Sequence, residues 1–257
     1  MNPSPAPVRR WPPARRLMLI ALPLAALALA ALAAALCSRR LQNVQVPRAE
    51  EIAEHLRAGF EVYISEVSGP ASAWRSITEL EWTSQAVSRV ADTLGGPPEF
   101  KLTMAGPVRM ARVPVPELRA FAPPLGQDVL GDIVLTDYNF DHGQNYAIYL
   151  IVHEIGHVLD WRSHKHLSQA VAAETGARRC DPDNPSLGCV FDAGHAVEPP
   201  PGNPDQPYAA VSSEEYWAEV FASTVYPDYY QQNAANNPIG PQTEQAVKTR
   251  LIGMRAE

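Results

Sequence analysis

Two histidines four residues apart, His153 and His157, stand in the apolar run YLIVHEIGHVLDW, with Glu154 beside the first. On a helix, positions i and i+4 share one face, so both imidazoles can reach a single cation. Glu154 is turned by about 100° from His153. That is too far round to join the same ion easily, but well set to take a proton from a water held there. Two imidazoles and a carboxylate are costly to bury among apolar residues unless something pairs with them, and a metal ion is the economical partner. The competing reading is a buried helix whose two histidines are hydrogen-bonded within the protein.

A catalytic zinc takes three protein ligands and keeps a fourth position open, so a third donor is required. The metzincin spacing needs Gly at 160 and His at 163, where this chain has Asp160 and Ser163. His164 and His166 fall at the end of the helix and read as surface residues, whereas His195, in a proline-rich stretch, remains open as a donor. A stronger candidate is the segment SSEEYWAEVFASTVY, where Glu215 and Glu219 are one turn apart. Glu215 can supply the third ligand, and Glu219 can accept the free N–H of a ligating histidine. Periodicity alone leaves Glu214 in competition with Glu215. The apolar company of Tyr216, Trp217, Val220 and Phe221 implies a largely buried helix rather than a solvated acidic face. Asp160 buttresses or caps the first helix and is given no catalytic role.

These residues carry a resemblance. His153, Glu154 and His157 with a glutamate on a later helix resemble the gluzincin arrangement. EYWAEVFA is similar to the Glu-aromatic-aromatic-Ala-Glu-x-Phe segment of the anthrax lethal factor-like metallopeptidases, a group that includes the Pro-Pro endopeptidases. HEIGHVLD, with Gly156 and Asp160, resembles the same family's helix, and the match covers roughly residues 130–226. The resemblance implies that Glu215, which opens the second segment, is the ligand in preference to Glu214. It also implies a catalytic tyrosine seven residues earlier, where Tyr208 stands in QPYAAVSSEE. It further implies an extended substrate lying antiparallel to an edge strand, either DIVLTD or the segment around Arg109 to Val115, by strand addition. The chain departs from the family in a longer span between the two helices and in the region before Val129, which no motif aligns.

Other segments must position these groups. Ile52, Leu56, Phe60, Tyr63 and Val67 recur at three and four, predicting an amphipathic helix that Gly69-Pro70 stops. A second helix is expected from Ile77 to Leu94, closed by GGPP. EFKLTMAG alternates well enough for a strand, VRMARVPVP for another whose prolines confine its end to a sheet edge, and DIVLTDY for a third. The motif helix spans about 143–162, residues 181–207 form a long proline-rich loop, a helix resumes near Ser212, and a last one covers Thr243 to Met254.

Charge is uneven along the 257 residues. Residues 1–40 hold six arginines and no acid, which leaves 15 basic against 28 acidic residues, a net charge of −13, from Leu41 onward. So acidic a body excludes a nucleic-acid backbone as partner, because phosphate binding needs a basic footprint. Leu17 to Leu36 is an uncharged, Leu- and Ala-rich stretch between arginine pairs, long enough to cross a bilayer as an anchor with its short basic leader inside. Its Ala-x-Ala triplets would also suit signal-peptidase cleavage, giving a secreted protein. Cys180 and Cys189 enclose a turn-rich loop where a disulfide suits an exported domain, leaving Cys37 as the odd cysteine.

The expectation is thus an α+β chain: residues 1–40 a basic leader with an anchor or signal segment, and 41–257 a zincin-like metallopeptidase domain. In that domain a small mixed sheet packs on the helix of His153 and His157, and a second helix carries the third zinc ligand. One zinc is held by His153, His157 and Glu215, Glu154 is the general base, and Tyr208 donates to the oxyanion. The expected partners are a protein or peptide substrate outside the cytoplasm and the membrane. The alternative is a membrane-tethered, catalytically silent binding or scaffold protein on the same fold.

Overall fold

The computed structural model describes residues 46–68, 72–123, 130–164, 166–175, 213–231 and 241–253. The expected membrane segment, the Cys180 to Cys189 loop, His195 and Tyr208 lie outside these residues. The chain divides into the units Met1–Pro47 and Arg48–Glu257, and the fold below is that of the second. Among the described residues no helix is long and apolar enough to cross a membrane.

The elements, in order, are α1 (46–60), β1 (Val62–Ile64), α2 (Ile77–Leu94), α3 (Pro97–Met104), β2 (Val108–Arg112), β3 (Ile133–Leu135), α4 (Asp137–Asp141), α5 (Gln144–Arg162), α6 (His166–Thr175), α7 (Ser213–Val225), α8 (Pro227–Gln231) and α9 (Pro241–Gly253). The described part is mostly helical with one small sheet, an α+β arrangement. Ile77–Leu94 is helical over its expected span, with Ser76 capping its start and Gly95, at φ 108°, its end.

Two segments depart from expectation. The first helix ends at Phe60 instead of continuing to Val67. Glu61 takes a positive φ of 57°, which breaks the helix, and Val62 and Ile64 then pair with β2. EFKLTMAG is not a strand: Pro97 and Pro98 open α3, where their fixed φ and missing N–H are tolerated, and Phe100, Thr103 and Met104 are buried at a helical three and four.

The sheet is parallel rather than mixed, in the order β1-β2-β3, with Val62 opposite Val108 and Met110 opposite Ile133. The expected edge around Arg109 to Val115 is therefore wrong for Arg109–Arg112, because β2 is hydrogen-bonded on both sides. β1 and β3 are the outer strands, and the far side of β3 meets Phe121 in an isolated antiparallel bridge. Phe121 N–H donates to Val134 O at 3.1 Å, and Val134 N–H donates to Phe121 O at 2.8 Å.

Helix α5 is the hub, packing on α7, α2, α4, α3, α6, α8 and β3. Every residue from Tyr146 to Asp160 is buried, which is why this stretch reads as apolar all round. Its C-terminal end is fixed by Arg162, whose guanidinium donates to the carbonyls of Met104, Gly106 and Pro107.

The sheet is tied to the helices by charge. The Arg112 side chain is wholly buried between Glu79, at 3.2 Å, and Asp137, with Arg75 completing the group through Glu79 and Asp141. Removing one member of a buried charge group leaves the others uncompensated. Arg112→Ala is therefore expected to lower stability by about 3 kcal/mol, read from urea unfolding, whereas an unchanged midpoint would mean that Arg75 suffices.

Candidate metal centre

The site forms where α5 and α7 cross in antiparallel sense. Their separation is set by Gly156: a Cβ there would stand 2.9 Å from Phe221 Cδ1 and 3.3 Å from Ala218 Cα. The carbonyl of Gly156 accepts from Trp217 Nε1 at 2.8 Å, which fixes the rotation of α7 against it. With the helices this close, Glu215 reaches both histidines.

His153 Nε2 lies 3.2 Å from Glu215 Oε2, and His157 Nε2 lies 3.3 Å from the same oxygen. The three donor atoms all fall within 4.8 Å of one another and could hold a metal ion. Glu215, not Glu214, completes the group, and His164 and His166 are exposed at the helix end as expected. Glu219, one turn on, faces the other ring nitrogen of His153, with Oε1 3.3 Å from Nδ1. His157 is held differently, with its ring stacked on Trp161 at 5.6 Å and 19°.

The electrostatics follow from burial. Desolvation pulls the His153 imidazole down, but hydrogen bonding to Glu215 and Glu219 and the charges of Glu219 and Glu154 more than reverse it, raising its pKa to about 9. Glu215 would be pushed up by burial, yet the two histidines hold its carboxyl well below the usual range. Glu219 is lowered as well, burial being outweighed by His153, Arg119 and Tyr149. Burial pushes the Glu154 carboxyl up, against the pull of His153, His157 and Arg119.

Asp160 is buried and accepts from the Ser168 N–H at 2.8 Å, joining α6 to the end of α5. Burial raises its carboxyl pKa. Two further residues belong to the surroundings and were not anticipated. Tyr149 donates its hydroxyl to Glu219 Oε1, and it lies one turn before His153, so the four-residue spacing could have found it. Arg119 keeps its guanidinium nitrogens out of solvent, and its charge acts on Glu154, Glu219, Tyr146 and Tyr229. A single arginine among prolines offers no periodicity that would place it here.

In comparisons with known proteins, no family model, no curated protein and no solved structure matches the chain.

Gly156→Ala is expected to destabilise by about 1–3 kcal/mol, since overpacking at the helix contact outweighs the better helix propensity of alanine. Gly59→Ala, where the nearest atom stands at 3.9 Å, is the control and should not destabilise. Comparing the two by urea unfolding checks the contact. A second expectation concerns pH. Because His153 has its pKa raised to about 9 from an ordinary 6.5, its pairing with the carboxylates stabilises fully below pH 6.5 and is lost as pH rises through about 9. Thermal unfolding of chelator-treated protein should show a falling midpoint across that interval, and His153→Gln should abolish this fall.

Proposed function

We propose that this chain is a zinc-dependent metalloendopeptidase with a zincin-like domain, resembling the lethal factor-like group, that acts on peptide bonds outside the cytoplasm. One observation carries the reading: two imidazole nitrogens and a Glu215 oxygen converge on one point, with Glu154 next to His153 in the chain. The Glu215 oxygen stands 3.2 and 3.3 Å from the two imidazole nitrogens, and all three donors lie within 4.8 Å of one another, so His153, His157 and Glu215 would suit one zinc ion.

Zinc, when bound, supplies Lewis-acid chemistry: it polarises a carbonyl and makes water more acidic. The chain's own groups do the rest. His153, His157 and Glu215 hold the ion, and Glu219 orients His153. The Glu154 carboxylate receives a proton from the attacking water and returns it to the leaving amine. Tyr208 is assigned to the oxyanion because the lethal factor-like resemblance implies a tyrosine seven residues before the ligand glutamate. A peptide would lie antiparallel along residues 120–122. The N–H and C=O of Phe121 are taken by Val134, so those of Ala120 and Ala122 point away from β3, toward an added strand. The uncharged stretch from Leu17 to Leu36 and the Cys180 to Cys189 loop support an anchored or secreted setting.

The test uses the full chain purified in detergent, with zinc content measured and a broad peptide library as substrate. One zinc per chain is expected, lost in His153→Ala and retained in Glu154→Gln. The latter variant should cleave at least about 100-fold more slowly. A parent that binds zinc and cleaves nothing in the library would favour the silent binding protein instead.

A further inference from the structure

The candidate centre extends one residue beyond Glu219. His153 directs Nε2 toward Glu215 and Nδ1 toward Glu219, so a cation at the first nitrogen requires the ring proton on the second. Glu219 Oε1, the oxygen nearest Nδ1, also accepts from the hydroxyl of Tyr149. All three side chains are buried, with Tyr149 and Glu219 each 4% exposed and His153 not at all. The Tyr149 ring is stacked on Tyr229, with centroids 4.4 Å apart and planes within 4° of parallel. That stack restricts the ring and thereby aims the hydroxyl.

We propose that Tyr149 is a positioning residue for the metal centre: its hydroxyl locks Glu219, and Glu219 in turn sets the tautomer and orientation of His153. The inference rests on the zinc reading above. It gives the two imidazoles unequal supports. His153 Nδ1 faces the Glu219 carboxylate at 3.3 Å, and that carboxylate is in turn held by the hydroxyl of a stacked phenol. The His157 ring is instead stacked on the face of Trp161. Loss of the Tyr149 hydroxyl leaves the ring stack in place while freeing one oxygen of Glu219, so the effect should appear in metal affinity rather than in folding.

The experiment is a double-mutant cycle of Tyr149→Phe and Glu219→Gln in the full chain, with zinc affinity measured by competition against a chromophoric chelator. Tyr149→Phe should weaken zinc binding about tenfold, the lower end of what removing an outer partner costs. In the Glu219→Gln background the same substitution should add less than about twofold, because its route to His153 is already cut. Chelator-treated Tyr149→Phe should keep the parent's far-ultraviolet circular dichroism. An affinity within twofold of the parent, an equal loss in both backgrounds, or zinc loss accompanied by loss of helix overturns the role of Tyr149 while leaving the zinc reading standing. A parent chain that binds no zinc brings down the zinc reading itself, and this inference with it.

Discussion

The contact between α5 and α7 at Gly156 is the constraint from which the candidate site follows. Helices crossing at ordinary side-chain separation would leave the Glu215 carboxylate short of the two imidazoles. Here the missing Cβ lets Phe221 and Ala218 settle against the α5 backbone, and Trp217 donates to the Gly156 carbonyl. Packing and chemistry are thus interleaved on one helix face. Glu215 and Glu219 lie within a turn or two of Trp217, Ala218 and Phe221, which make that approach, so any change that separates the helices also dismantles the donor set.

The charge balance of the site is the second organising feature. Glu154, Glu215 and Glu219 are gathered around two histidines in a largely dry environment. Such a group cannot be left without positive charge. Protons on the histidines, the guanidinium of Arg119 and a divalent cation all meet that need in different ways. A second buried cluster solves a similar problem with a permanent cation, since the Arg112 side chain sits fully buried between Glu79 and Asp137. The contrast is informative: an arginine closes its cluster for good, whereas imidazoles leave theirs able to exchange a proton for a metal.

Much of this was legible in the residues. The i, i+4 histidines placed both rings on one face, and the one-turn spacing of Glu215 and Glu219 put both carboxylates within 3.3 Å of a histidine ring nitrogen. Ile77–Leu94 was marked by the GGPP that closes it, and the motif helix by an apolar run too long for a strand. What periodicity could not resolve was local. A three-residue strand such as Val62–Ile64 is too short to show a period of two, and it continues the apolar spacing of the helix before it. In EFKLTMAG the alternation of apolar residues misled, because the two prolines that seemed only to end α2 also begin α3. Sheet order rests on partners far apart in the chain, so no local pattern told that β2 is central. Arg119 reaches the site by tertiary placement alone.

The separation of His153 from Glu215 by 62 positions has a consequence for biogenesis. A chain made from its amino terminus presents the sheet, α2 and both imidazoles of α5 well before the third donor emerges. During that interval the hub helix lacks α7, its largest packing partner, and a broad apolar face is left uncovered. Completion of the donor set therefore coincides with closure of the core. In a nascent polypeptide, assembling the candidate donor group and escaping aggregation become the same late event.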